Sequence, residues 1–492
     1  MYGPRRKIFW FAVTSRITVL SLQFIFNILC PDHYADAFRS PRDKSERVSV
    51  YDNIITLLFN GLTRWDGQYF IHIAKYGYTY ENTLAFYPLY PTLIRFSAAC
   101  IRKVFYSLNV NSSIITAAIL INGICFVKSA IIFYDLSKVV LKNTNTAYKA
   151  AVLYCINPAT IFFSAIYSES LFAYLTYYSM LKSIDLDIYV AFPISLSILT
   201  RSNGMVNIGF PMYFQLRRLY NDFVTKYGKF SLSTLCQFLF KMTTLKSICL
   251  MCNTVIISTA PFVLLQIYNY IIFCVSQSNE MLIPQHILNH GTINNFELPG
   301  SSNVEWCDTM LPVAYSYVQK KYWNIGFFKY YTVKQIPNFI LALPILYIMI
   351  TCMIEYVIEH TKYFCTLGFV QRADKIEICA KVKKYPTEML VFIFHGLFMT
   401  IFCIFFVHIQ VSTRLLCSAS PLIYWYCAST MCCASHCNEK RGCECIENMY
   451  SKWKVFFFTQ KEYTWKDKLI LTYFLGYAIV GCFMFSNFLP WT

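Results

Sequence analysis

The sequence predicts an all-α protein that crosses a membrane many times. Only 14% of its 492 residues are charged, against roughly 25% in an average soluble domain. Hydrophobic residues make up 56% and aromatic residues 18%, more than a water-soluble surface of this extent tolerates. The apolar residues also gather in runs long enough for helices to span about 30 Å of hydrocarbon. A soluble enzyme is excluded.

The charge pattern agrees. Lys and Arg number 43 against 26 Asp and Glu, a formal net charge of +17. They lie between apolar runs, as in the cytoplasmic loops of membrane proteins. A nucleic-acid binder would cluster them on one face, so no nucleic-acid partner is expected. The 21 cysteines fall mostly inside apolar segments and read as small hydrophobes.

Along the chain, a basic start, Gly3 to Lys7, precedes the run Ile8 to Cys30, read as an uncleaved first span with a cytosolic N-terminus. Residues 31–85 then form a large extracytosolic loop, of a length that usually signals function. Phe86 to Phe105 carries Pro88, Pro91 and Arg95, and reads as an interrupted or re-entrant segment. Apolar segments follow at Ile114 to Val140, Ala147 to Ala165, Leu171 to Leu181, Ile188 to Phe214, Ile248 to Val275, Phe339 to Ile358, Met389 to Val407, Leu415 to Cys432 and Leu469 to Phe488. The cation-rich stretches 217–247, 359–388 and 433–468 are cytosolic on this count. That places 276–335, a second large loop, on the same side as 31–85, together with His408 to Arg414 and the C-terminal tail. Residues 1–492 thus form one multispanning domain without internal repeat.

The densest polar and aromatic cluster runs from Arg64-Trp65-Asp66-Gly67 through His72 and Glu81 to Pro91. Phe70, Ile73 and Ala74 share one side at helical spacing, while His72, Lys75 and Tyr76 fall elsewhere, as in a short helix lying along the membrane surface. Asp66 then stands at its N-terminus. It is either a helix cap or, flanked by Trp65 and partly shielded from water, a general base.

Glu169 and Arg201 lie in apolar surroundings, where charge is expensive unless it faces a cavity or a partner; Asn203 follows Arg201. The segment His408 to Arg414, which includes Gln410, sits between two spans. Arg414 offers a planar fork for phosphate oxygens, or else reaches lipid headgroups as an interfacial anchor. His408 reads as a structural group more readily than a catalyst.

Three signals are weaker. Asp185-Leu186-Asp187 has the spacing of a metal clamp but no further carboxylate nearby, and reads as a plain loop. The Cys432 to Cys445 group is irregularly spaced for zinc. Cys274 and Cys307 bracket part of the second extracytosolic loop, where an oxidising compartment allows a bridge. Asn111-Ser112-Ser113 is a glycosylation triplet.

Taken in order, Thr63 to Pro91, Asn157 to Glu169, Arg201 to Gly204, Tyr322 to Gly326, Gln335 to Phe339, His408 to Arg414 and Asn487 to Thr492 closely resemble the PIG-V family of GPI mannosyltransferases. The resemblance implies a GT-C glycosyltransferase of the endoplasmic reticulum membrane with a luminal active site and short interfacial helices in its first loop. It implies transfer of mannose from dolichyl-phosphate-mannose to a mannosylated GPI precursor lipid, as the second, α1,6-linked mannose, with inversion. The donor is a lipid monophosphate, so no metal or other cofactor is expected; an accessory membrane subunit is left open.

Within that reading Asp66 is the catalytic base and Arg414, with Arg201 second, stabilises the departing phosphate. Trp65 and Trp323 offer faces for sugar stacking, Glu81 and Glu169 orient hydroxyls, and Arg64, Asn203, His408 and Gln410 complete the substrate-binding set. The alternatives are a lipid-linked sugar transporter or flippase, or another transferase dependent on a dolichyl-phosphate sugar.

Overall fold

The computed structural model describes residues 3–43, 45–228, 231–275, 283–300, 304–369, 383–433 and 463–491. Among them every regular element is a helix. The cysteines from Cys437 onward lie outside the described residues.

Among the described residues six helices are long and apolar enough to cross a membrane: 4–29, 110–141, 242–275, 333–359, 387–405 and 465–486. The other described helices are shorter or, like the 19-residue helix Gly209–Tyr227 with its Arg217, Arg218, Asp222 and Lys226, too charged. In chain order the helices are α1 (Pro4–Leu29), α2 (Val50–Phe59), α3 (Asp66–Tyr76), α4 (Leu89–Val104), α5 (Val110–Leu141), α6 (Thr144–Cys155), α7 (Glu169–Ile184), α8 (Ala191–Thr200) and α9 (Gly209–Tyr227). They continue with α10 (Leu232–Leu239), α11 (Met242–Tyr270), α12 (Gln285–Ile293), α13 (Ala314–Trp323), α14 (Ile336–Glu359), α15 (Thr361–Cys365), α16 (Leu390–Phe405), α17 (Ser412–Ala419), α18 (Leu422–Cys433) and α19 (Trp465–Ser486). The 32-residue α5 is the central post, packing against α7, α4, α6 and α1.

Three apolar runs that read as continuous are broken. The run 147–165 stops being helical at Cys155, three residues before Pro158, and 156–168 crosses as turns. The run 188–214 breaks at Arg201, whose φ of −157° and ψ of 145° are extended, and Gly204 beyond it packs against the Ser197 backbone so closely that a side chain would not fit. The run 415–432 breaks at Ser420-Pro421, and its first helix begins earlier, at Ser412. A proline removes an amide donor and disfavours helix in the residue before it, which accounts for two of the three breaks. α4 resolves the ambiguous segment: starting after Pro88, it has 16 residues, about 24 Å, too short to cross. Its Arg95 donates to the carbonyls of Ala74 (2.8 Å) and Lys75 (3.0 Å), closing the C-terminus of α3 with a cation.

α3 is more enclosed than a helix on a membrane surface. Phe70, Ile73 and Ala74 are buried as their shared side leads one to expect, and so are Ile71 and His72. The segment before α2, the turn after α3 and α12 fold over it: Phe38 meets the His72 ring edge-on at 5.5 Å, Tyr80 stacks on it at 4.9 Å, and His286 meets Tyr76 at 5.5 Å. His72 Nδ1 lies 3.1 Å from Ser40 Oγ and Nε2 lies 2.6 Å from Thr79 Oγ1. Burial, with His290 and His286 nearby, pushes the imidazole down to about 3. Lys75 is tied to Glu46 at 2.8 Å.

The expected bridge between Cys274 and Cys307 is present. It fastens the end of the α11 span to the turn Glu305–Asp308, which carries the buried Trp306. Asp187 caps a short turn and pairs with Lys182 at 2.8 Å, the plain loop role expected of it. Asn111 lies in the first turn of α5, where Ser113 is buried.

Two outcomes follow. Replacing Cys307 by Ser should lower the melting temperature of the purified protein, since closing a loop of 33 residues contributes roughly 3–4 kcal/mol; reductant should do the same to the parent and nothing further to the variant. Because folded His72 protonates less readily than an unfolded histidine, the unfolded chain binds the extra proton below about pH 6.5. Stability should therefore fall as pH drops from 7 to 5, and His72→Phe should flatten that slope in melting curves.

Candidate active site

The starts of three helices meet at one cavity. Asp66 is the first residue of α3, Glu169 the first of α7, and Arg414 the third of α17. Free backbone amides give each helix start a partial positive charge that favours anions. Two carboxylates here are therefore held partly by backbone dipoles, and the two arginines complete their neutralisation.

The side chains form a line of alternating charge. Arg414 Nη1 donates to Asp66 Oδ2 at 2.8 Å, and its Nε lies 3.6 Å from Glu169 Oε1. Glu169 Oε1 in turn accepts from Arg201 Nη1. Glu169 is completely buried, while the Asp66 side chain keeps about a quarter of its exposure. The sequence spreads Asp66, Glu169, Arg201 and Arg414 across nearly 350 positions, and the fold gathers all four.

Local structure fixes the line from both ends. The Asp66 amide donates to the Tyr167 hydroxyl at 3.0 Å, locking the start of α3 to the turn before α7. Trp65, just before Asp66, has φ 53° and ψ −126°, a conformation that side-chain-bearing residues rarely adopt. Such strain persists only where the surroundings over-determine it, and it clusters at functional sites. Here the Trp65 ring is held against Phe488 at 5.9 Å.

These groups line a cavity of about 1510 Å³. Asp66, Trp65, Glu169, Arg201, Asn203 and Arg414 form part of its wall, with Trp323, His408 and Gln410 on other sides. Glu169 Oε2, Arg414 Nε, Asn203 Nδ2 and Trp65 Nε1 are buried without a hydrogen-bond partner. Unmatched buried polar atoms are costly, and these four belong to residues that line the cavity while being closed off from it by their neighbours. Gln410 accepts from Tyr330 at 2.9 Å, and the same tyrosine stacks on His408 at 4.4 Å. Burial pushes His408 below its ordinary range.

Two residues predicted for the site are elsewhere. Arg64 points away from the cavity, donating twice to Asp32 at 2.8 and 2.9 Å and once to the Ser486 carbonyl at 3.2 Å, with its guanidinium 4.4 Å from the Phe488 ring centre. It fastens the first loop to the end of α19. Glu81 is fully buried behind the wall and accepts from Trp306 (3.1 Å), Lys321 (2.8 Å) and Tyr322 (2.8 Å). Those bonds engage both of its oxygens and position α13, which carries Trp323. A charged residue in an aromatic motif has the same signature whether it meets ligand or ties a loop.

Two features escaped sequence reasoning. One is the shelf of Phe38, Tyr69 and Phe86, stacked ring on ring at 4.2 and 4.5 Å with Trp323 at its edge. Tyr69 lies three residues after Asp66 and so on the same helical face, the one signal available for it; Phe38 comes from a distant turn. Burial, reinforced by the Asp66 carboxylate, raises the Tyr69 phenol, which stays a hydrogen-bond donor at neutral pH. The other is Tyr167, visible in the sequence only as part of a motif.

A family profile described as Mannosyltransferase (PIG-V) matches residues 5–492. The chain belongs to the PIG-V mannosyltransferase family. It is 33% identical to the GPI alpha-1,6-mannosyltransferase 2 of Cricetulus griseus, and 34% identical to the GPI mannosyltransferase 2 of Drosophila melanogaster. The human GPI alpha-1,6-mannosyltransferase 2 is 31% identical. Each of these alignments covers 99% of both chains. A solved structure, the Archaeoglobus fulgidus oligosaccharyltransferase, aligns over 96% of this chain but only 55% of its own, at 11% identity and a TM-score of 0.39. This PIG-V chain is thus a multi-pass membrane mannosyltransferase, and its charged cavity is the candidate place for the transfer.

If Arg414 neutralises both carboxylates, Arg414→Met leaves Asp66 without its ion partner and two carboxylates sharing Arg201 alone, and should destabilise the protein by roughly 3 kcal/mol. Adding Glu169→Gln should restore part of that loss. Thermal unfolding of the two variants beside the parent measures it; equal melting temperatures for all three would break the assignment.

Proposed function

We propose that this mannosyltransferase takes mannose from dolichyl-phosphate-mannose and adds it, α1,6-linked, as the second mannose of the GPI anchor precursor, at the luminal face of the endoplasmic reticulum. The observation that carries the reading is the Asp66–Arg414 pair at 2.8 Å in the wall of a cavity that Glu169 and Arg201 also line. The names of the relatives, GPI alpha-1,6-mannosyltransferase 2, support the acceptor and the linkage. The disulfide supports an oxidising compartment for the cavity side, because Cys307 precedes α13, whose Tyr315 and Trp323 line that cavity.

The chemistry follows from which partner each group can exchange. Arg414 carries its charge at every physiological pH and binds oxyanions through a fork of N–H groups. A donor phosphodiester reaching Arg414 competes with the Asp66 carboxylate for the same donor. As the phosphate takes Nη1, Asp66 is released toward the acceptor. Its oxygen then accepts the proton of the acceptor hydroxyl while that hydroxyl's oxygen bonds to the anomeric carbon from the face opposite the phosphate. The carbon–oxygen bond to phosphate breaks, its electron pair stays on dolichyl phosphate, and the configuration inverts from β to α. Arg414, backed by Arg201 through Glu169, stabilises the growing phosphate charge, a type of contribution worth several kcal/mol.

The cavity walls suit the two lipids. Phe398, Phe402 and Phe406 of α16 and its C-terminal end stack at 6.2 and 5.7 Å along one side, a hydrocarbon face for an isoprenoid chain. The aromatic shelf of Tyr69, Phe86 and Trp323 and the amide of Asn203 lie on other sides and suit sugar rings and hydroxyls. On this proposal the described parts of 31–85 and 276–335, which line the cavity, face the lumen.

Purified protein incubated with dolichyl-phosphate-mannose and a singly mannosylated GPI precursor should yield a product one hexose heavier. Asp66→Asn should lower its rate by about 10²–10⁴-fold, the range for loss of a general base. Donor movement across vesicles without any heavier product would instead favour a transporter, and transfer from a nucleotide sugar alone would overturn the donor.

A further inference from the structure

Arg16 is an arginine in the middle of the first span, and it is buried. All its hydrogen-bond partners are neutral oxygens. Nη1 donates to the Thr160 carbonyl at 2.9 Å and to Ser164 Oγ at 2.8 Å. Nη2 donates to the Cys155 carbonyl at 3.3 Å and to Thr160 Oγ1. Nε and Nη2 reach Ser15 Oγ at 3.4 and 3.5 Å. The guanidinium lies 3.7 Å from the centre of the Phe126 ring.

All of these distant oxygens belong to one stretch, from the end of α6 through the turns that replace helix before α7. Backbone that leaves a helix at membrane depth exposes carbonyls that water cannot reach, so side chains must satisfy them. Arg16 serves the first half of this stretch. Asn122 of α5 serves the second, donating to the carbonyls of Ala165 (2.5 Å) and Tyr167 (3.1 Å). Tyr167 receives the Asp66 amide, and Glu169 stands between Arg201 and Arg414. Moving the turns moves both.

We infer that Arg16 is a positioning residue for mannosyl transfer, acting from inside the first span through the 156–168 turns to set Tyr167 and Glu169 beside Asp66 and Arg414. This rests on the site reading given under Proposed function. Lysine keeps the charge but has no planar fork to bridge two carbonyls and two hydroxyls at once, so the conservative exchange should not rescue.

The test is steady-state transfer by full-length protein in lipid nanodiscs, with dolichyl-phosphate-mannose and the singly mannosylated precursor. Arg16→Gln and Arg16→Lys should each lower kcat by about 10²-fold, the scale of an ångström-sized misplacement, with acceptor KM within about threefold of the parent. In a Glu169→Gln background the same change should cost less than about threefold, because residues acting as one unit are not additive. Should the Arg16 variants fail to fold, Thr160→Val with Ser164→Ala removes acceptors from the other side without exchanging the arginine, and should lower kcat about tenfold with KM unchanged. Full kcat in folded Arg16 variants, or in the Thr160/Ser164 variant, overturns the inference, as does a full multiplicative loss in the Glu169→Gln background. If Asp66→Asn transfers at the parental rate in the same assay, the site reading itself fails, whatever the Arg16 result.

Discussion

One arginine shared by two carboxylates is the interaction on which the site depends. Arg414 touches Asp66 at 2.8 Å and approaches Glu169 at 3.6 Å, so it holds α3, α7 and α17 in a single electrostatic arrangement. Arg201 extends the line to the extended turn between α8 and α9. Buried charges are expensive alone, and this chain offsets that cost by alternating their signs and by facing helix starts toward the carboxylates. Within the line Arg414 and Glu169 each have two charged partners, so an anionic ligand can compete for Arg414 while Glu169 keeps Arg201.

The same site requires broken helices. A helix that crosses without interruption presents no amides at mid-depth, whereas α7 and α17 begin inside the protein and place Glu169 and Arg414 at or near their free ends. Each interruption exposes carbonyls, and side chains from elsewhere in the fold answer them: the buried Arg16 and Asn122 before α7, the exposed Arg95 after α3, and the buried Arg64 after α19. Arginine recurs because its several donors reach carbonyls of different residues at once. The cations of this fold thus divide between charge chemistry at the cavity and closure of helix ends.

That division explains how far the sequence could be read. Asp66, Glu169, Arg201 and Arg414 were legible because a charge between apolar runs has few stable positions, and all four line the cavity. Trp65, Asn203, Trp323, His408 and Gln410 also line it. Arg64 and Glu81 carried the same local signal, but their partners, Asp32 and the Trp306–Lys321–Tyr322 group, are set by chain folding that spacing does not encode. The long spans followed from hydropathy, and the prolines at 158 and 421 marked two of the breaks. The cover over α3 did not follow, since Phe38 and Tyr80 reach His72 from turns without periodicity.

The proposed exchange of partners at Arg414 is tested most directly by measuring donor affinity in the absence of acceptor, with dolichyl-phosphate-mannose titrated into the parent, Asp66→Asn and Arg414→Gln proteins. Competition between carboxylate and phosphate predicts that Asp66→Asn, which leaves only the more distant Glu169 to hold the arginine, binds donor as tightly as the parent or more tightly, while loss of the guanidinium weakens binding by at least tenfold. Equal weakening in both variants would mean that the two groups bind the donor together, and the exchange would have to be given up.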